Sequence, residues 1–138
     1  MSIKVNGAAL AQPGLDRRAI AGPALRAFFK IAEAWKLTAE QQMTLLGVTA
    51  TATYYNWRNG KHGALPKDTI ERLSYIFGIY KALNILFSDP SAADGWIKRP
   101  NSAAMFGGRS ALDVMLSGNV VDLYRIRQYL DAQRGGWA

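Results

Sequence analysis

The sequence contains no cysteine and a single histidine, His62. The lack of cysteine excludes disulfides, thiolate metal sites and a cysteine nucleophile. His62 stands in a loop of lysine and glycine without an acidic neighbour, which is typical of a surface residue rather than of a general base. Catalytic motifs and metal-ligand spacings are also missing, and Gly107-Gly108-Arg109 is too short to predict a phosphate site. We therefore expect a protein that is not an enzyme and that uses no metal and no cofactor.

Long apolar runs are missing as well. No stretch approaches the roughly 18 apolar residues that a membrane-spanning helix requires. The first residues also lack the continuous apolar segment of a secretory signal peptide. These absences predict a soluble, cytoplasmic protein. No stretch alternates between apolar and polar residues as a half-buried strand would, so the sequence predicts an all-α fold.

Acidic residues are absent from one central part of the chain. The formal net charge is +7, and no Asp or Glu occurs between Gln41 and Lys67, where Arg58 and Lys61 lie. A local excess of positive charge favours a polyanionic partner, most often nucleic acid.

Apolar residues recur at helical spacing over most of the chain and predict a helical bundle. The expected helices cover about 17–36, a stretch after Thr38, Thr49 or Thr51 to Asn59, 67–87, 90–97, 110–116 and 120–133. Pro23 marks a possible start of the regular part of the first helix. Thr38 and Gln41 match a capping box, and Gly47 suits the end of the second helix. The chain is therefore expected to divide into a flexible arm (1–16), an N-terminal unit (17–66) and a C-terminal unit (67–138).

Two short helices joined by a turn at Gly47 form a helix-turn-helix pattern. In such a motif the second helix enters the major groove, where polar side chains reach base edges and phosphates. Tyr54 and Trp57 are expected in the core. The candidate DNA-binding residues are therefore Thr51, Thr53, Tyr55, Asn56, Arg58 and Lys61. Similar geometry occurs in helical proteins that bind no DNA, so a merely solvated role stays open for the uncharged residues of this set.

The last residues combine Arg134, Gly135, Gly136 and Trp137 behind the final predicted helix. Tryptophan and arginine are enriched among interface anchors, and arginine suits anionic groups. We therefore interpret this tail as a contact with a partner. Fraying of the tail and packing onto the chain's own fold are the alternatives.

Several features follow one another in the C-terminal half: Trp96, Pro100-Asn101, Gly107-Gly108 and the segment 110–118, which reads SALDVMLSG. In order and spacing they resemble the toxin-binding domain of Xre/MbcA/ParS-type antitoxins. Residues 45–47 and 54–57 resemble the Xre-like helix-turn-helix of the same family. The resemblance covers about residues 18–138.

The resemblance implies an antitoxin of a type II toxin–antitoxin module. Such antitoxins pair with a RES-domain toxin that depletes NAD, close its active site, commonly form homodimers and repress their own operon by binding operator DNA. The residues that it places in contact with the toxin are Arg109, Arg134, Gly135, Gly136, Trp137 and Ala138. The alternative is a stand-alone transcriptional regulator whose C-terminal unit dimerises or senses a ligand.

Overall fold

The computed structural model describes residues 16–136, and these residues form seven α-helices. The helices are α1 (Arg17–Ala34), α2 (Ala39–Leu46), α3 (Thr51–Arg58), α4 (Lys67–Leu86), α5 (Pro90–Gly95), α6 (Ala111–Met115) and α7 (Val120–Gly136), with a 3₁₀ turn at Trp96–Lys98. Within this part of the chain the β-structure is limited to an isolated bridge between Pro100 and Ser110. The predicted all-α fold is confirmed. None of the described helices is both long and apolar enough to cross a membrane.

Helix α1 starts at Arg17 because Asp16 caps it. The Asp16 carboxylate accepts the backbone N–H of Arg18 at 2.9 Å. Pro23 lies inside the helix, so the prediction that the regular part begins there is wrong. Its missing N–H leaves the carbonyl of Ala19 without a helical partner, and Ala19 is exposed to solvent, which keeps the cost low.

The end of α1 also differs from the predicted end at Lys36. The helix stops at Ala34, and Lys36 adopts the left-handed conformation with a φ of 54°. The backbone N–H of Leu37 then reaches back to the carbonyl of Ala32 at 2.9 Å, and that of Lys36 to the carbonyl of Glu33 at 3.0 Å. These two bonds form a Schellman motif, which satisfies carbonyls that the helix leaves unpaired.

Helices α2 and α3 form the predicted helix-turn-helix. Both bonds of the capping box are present: Gln41 N–H donates to the Thr38 hydroxyl at 3.2 Å, and Thr38 N–H donates to the Gln41 side chain at 3.0 Å. Gly47 ends α2 in the left-handed region with a φ of 73°. A β-carbon at Gly47 would lie 2.6 Å from Oδ2 of Asp68, so the turn requires glycine for space as well as for conformation.

Helix α4 packs against both halves of the chain. Near its start the Thr69 hydroxyl donates to the carbonyl of Leu46 at 3.0 Å, which fastens α4 to the end of α2. Further along, Arg127 of α7 donates to the carbonyl of Ser74 at 3.4 Å. The buried apolar residues from α1 to α7 form a single core cluster. Helix α4 therefore buries apolar residues against neighbours on two sides.

The C-terminal half packs around Phe106. The ring of Phe106 lies edge-on to Trp96 at 5.9 Å and to Tyr129 at 5.3 Å between centroids. Because Trp96 belongs to the 3₁₀ turn and Tyr129 to α7, these contacts fasten the loop 99–110 to the last helix. The Ser110 hydroxyl caps α6 by accepting the N–H of Asp113 at 3.1 Å.

Helix α7 continues to Gly136, past its predicted end at Gln133. The prediction that the chain leaves the helix before Gly135 is therefore wrong, because Gly135 and Gly136 belong to α7. Arg134 lies 3.5 Å from the Asp131 carboxylate one turn earlier, and a cation in the last turn is favourable toward the helix dipole. Trp137 and Ala138, like residues 1–15 of the predicted arm, lie outside the described residues.

Candidate functional site

Helix α3 presents a polar face to solvent. Thr51, Tyr55 and Asn56 are exposed on one side of the helix, and Tyr55 keeps 47% of its surface accessible. Thr53 is half-buried at the flank of this face. The structure thus brings three of the candidate DNA-binding residues together on an open surface and turns Thr53 partly away from it.

The opposite side of α3 is anchored by Tyr54, which is 1% exposed, as expected for a core residue. Its hydroxyl donates to Oε1 of Gln42 at 2.6 Å, and Nε2 of Gln42 donates to the carbonyl of Leu37 at 3.0 Å. The chain of bonds ties α3 through α2 to the end of α1. Trp57, also expected in the core, is half-buried and packs against the edge of the core rather than lying in its interior.

Arg58 and Lys61 lie at the carboxyl end of α3 and just behind it, and both are exposed. Nη1 of Arg58 donates to the Tyr54 hydroxyl at 3.2 Å, and its guanidinium carbon lies 5.7 Å from the centre of the Phe29 ring. The backbone N–H of Lys61 donates to the carbonyl of Asn56 at 2.7 Å. Arg58 is therefore held in one orientation by packing while its remaining N–H groups stay available to an anion.

The loop 99–110 holds Arg109 by backbone pairing. The N–H of Asn101 donates to the carbonyl of Arg109 at 3.0 Å, and the N–H of Gly108 donates to the carbonyl of Asn101 at 2.9 Å. The Asn101 side chain also accepts the N–H of Ala103 at 2.9 Å. Nε of Arg109 donates to the carbonyl of Phe106 at 3.3 Å, and the residue is exposed. The loop therefore presents Arg109 on a fixed backbone.

A second candidate surface is an open groove of about 600 Å³ between α4 and α7. Two candidate toxin-contact residues, Arg134 and Gly135, belong to it, whereas Arg109 does not. The lining consists of Gly78, Lys81, Ile85, Leu86, Arg127, Asp131, Arg134 and Gly135. Trp137 and Ala138 of the candidate set lie outside the described residues.

The groove is mainly basic, with one exposed aliphatic side chain. Asp131 is shared by Arg127 at 3.6 Å and Arg134 at 3.5 Å. Lys81 adds a further positive charge, and Ile85 exposes 53% of its surface. An apolar side chain between cations suits a partner segment that combines a carboxylate with an apolar residue.

Comparison with known families finds matches to two consecutive stretches of the chain. Residues 14–78 match the antitoxin Xre-like helix-turn-helix domain, and residues 82–136 match the antitoxin Xre/MbcA/ParS C-terminal toxin-binding domain. The chain belongs to the Xre/MbcA/ParS-type antitoxins. Among proteins similar to this antitoxin is the uncharacterized protein y4oB of Sinorhizobium fredii (strain NBRC 101917 / NGR234). It is 56% identical over 112 residues, which are 81% of this chain and 84% of the relative.

Sequence reasoning named two of the eight residues that line the groove of this antitoxin, and the six that it missed include Lys81, Ile85 and Arg127. Ile85 gave a usable signal, because it is an aliphatic residue of α4 that lies off the two apolar faces formed by positions 70, 73, 77 and 80 and by positions 76, 79, 83 and 86. Lys81 and Arg127 gave none, since isolated cations on helices are most often solvated. Gly78 belongs with Arg127, because a β-carbon there would lie 2.5 Å from Nε of the arginine. This glycine lets the arginine side chain cross α4.

Proposed function

We propose that this antitoxin binds operator DNA through α3 and neutralises a partner toxin through its C-terminal unit. In this proposal residues 17–66 serve DNA binding and residues 67–138 serve toxin binding, in a cytoplasmic complex. The observation that supports the DNA-binding half best is the exposed face of Thr51, Tyr55 and Asn56, because Tyr54 anchors it rigidly from behind. A backbone that is already fixed loses little further entropy when its side chains bind base edges.

The toxin that we propose is a RES-domain protein that depletes NAD, as the family resemblance implies. Arg134 and Gly135 lie at the end of α7 beside the basic groove, so the chain leaves this helix next to a surface that suits a partner. Arg109 is exposed on the loop 99–110 and would add a contact away from the groove.

We further propose a homodimer that represses its own operon. Helix-turn-helix proteins that bind as dimers place two recognition helices one helical turn of DNA apart, about 34–36 Å, and so select palindromic operators. A monomer with the single α3 of this chain would contact one half-site only.

Copurification with the product of the neighbouring gene tests the toxin half. The expected result is a stable complex that degrades no NAD, and NAD loss once the two proteins are separated. A complex without any NAD loss after separation would refute the RES assignment and leave toxin binding standing. The absence of a complex, together with specific binding to the chain's own promoter, would instead support a stand-alone transcriptional regulator.

A further inference from the structure

The loop behind α3 runs along the first turns of α1. Nη1 of Arg17 donates to the carbonyl of Leu65 at 3.4 Å. A β-carbon at Gly63 would lie 3.8 Å from Nη2 of Arg18, so the Arg18 side chain reaches over this loop. The amino end of α1 is therefore flanked by residues 63–65.

The same arrangement continues toward the carboxyl end of α1. A β-carbon at Gly22 would lie 3.1 Å from Nη1 of Arg26 and 3.5 Å from Nε2 of His62, so these two side chains meet above Gly22. About two turns further along α1, the guanidinium of Arg58 lies over Phe29. The segment 58–65 thus runs antiparallel to α1, and it places basic residues beside those of the helix.

These residues form one strip, here called the basic seam: Arg18, Arg26, Arg58, Lys61 and His62. On α1 the positions 18, 22, 26 and 29 share one helical face, since they recur at spacings of three and four. The acidic residues nearest to this face along the chain are Asp16, which caps α1, and Glu33, one turn beyond Phe29. The seam between these two ends carries no carboxylate of its own.

Within the described part of the chain, no cation of the seam takes part in an ion pair. The four ion pairs there all lie within α4 and α7, and none includes a residue of the seam. Arg18, Arg26, Arg58 and Lys61 are all exposed. Several unneutralised cations held on adjoining segments repel one another, and a polyanion relieves this repulsion.

We propose that the basic seam binds the DNA backbone beside the groove that α3 enters, so that Arg18 and Arg26 of α1 are phosphate contacts. The inference rests on the proposed DNA binding and extends it beyond the helix-turn-helix. Continuity with α3 supports a duplex as the occupant, because Arg58 belongs to that helix and Lys61 follows it directly. From Arg18 to Phe29 the helix rises about 16 Å. One DNA strand places a phosphate about every 3.4 Å of axial rise, so this length passes several phosphates.

The test measures how binding depends on salt. Full-length wild-type protein and the variant Arg18→Ala/Arg26→Ala are titrated by fluorescence anisotropy into two duplexes, one from the chain's own promoter and one of unrelated sequence, over a range of salt concentrations. The double variant should weaken binding to both duplexes and make the slope of log K against log salt shallower by about 1.8, which is about 0.9 for each lost phosphate contact. The matched control, Lys98→Ala/Arg125→Ala, removes the same charge from exposed positions on the 3₁₀ turn and α7 and should leave the slope unchanged.

A second variant separates charge from folding. Arg18→Lys/Arg26→Lys keeps both cations and should restore the wild-type slope, since phosphate contacts need charge more than fork geometry. Equal slopes for the alanine variant and its control would overturn the seam while wild-type DNA binding stands. A wild-type protein that binds neither duplex would overturn the DNA-binding proposal itself and the seam with it.

Discussion

The bond between Tyr54 and Gln42 allows a quantitative test of how α3 is anchored. Tyr54→Phe keeps the buried ring and removes only the hydroxyl. Gln42, which is 6% exposed, then keeps its bond to Leu37 but loses the donor to Oε1 at 2.6 Å. A buried acceptor left without a partner costs about 1–3 kcal/mol. The loss of the acceptor for Arg58 adds little, because that arginine is exposed.

Urea unfolding followed by circular dichroism measures this loss. Tyr54→Phe should lower the midpoint and leave the m-value unchanged, because the surface exposed on unfolding stays nearly the same. Tyr55→Phe is the matched control: Tyr55 is 47% exposed, so the loss of its hydroxyl should change the free energy of unfolding by less than about 0.5 kcal/mol. Equal midpoints for Tyr54→Phe and the wild type would refute the claim that this bond anchors the recognition helix.

Three further results are expected. Arg58→Ala/Lys61→Ala should weaken operator binding and flatten its salt dependence in a mobility-shift assay, and unchanged binding would show that the DNA face lies elsewhere. Leu112→Asp should unfold the C-terminal unit, since Leu112 is 6% exposed, and a normal circular-dichroism melt would contradict the core assignment. Burial raises the pKa of Asp94, so this carboxyl contributes stability at low pH that is lost as pH rises through its folded-state pKa. Asp94→Asn should remove that contribution in thermal melts between pH 4 and 7, and parallel profiles for variant and wild type would contradict it.

Local signals were sufficient for much of the helix-turn-helix. A capping box and a left-handed glycine are satisfied by atoms a few residues apart, so Thr38, Gln41 and Gly47 could be read from the sequence. The burial of Tyr54 followed from helical spacing as well. Trp57 has the same spacing but lies where α3 leaves the core, and helical periodicity alone does not show where a neighbouring surface ends.

Features that depend on more distant contacts were not predictable. The basic seam exists because the loop 61–65 folds back along α1, and nothing in either segment indicates that pairing. Gly135 and Gly136 have weak helix propensity, yet α7 extends through them, behind an Arg134–Asp131 pair that supports its last turn. The groove requires Ile85 of α4 and Arg127 of α7, which are far apart in the sequence, to share one surface.

The most direct test of the account is neutralisation of the neighbouring gene's product in living cells. Cells that express this product are supplied with the full-length antitoxin or with a form that ends at Arg134, and their NAD is measured. We expect NAD to be maintained by the full-length chain and to be lost with the shortened one, although the shortened chain should still bind promoter DNA. Equal protection by both forms would contradict a toxin-blocking role for residues 135–138, and loss of NAD with the full-length chain would contradict the antitoxin function.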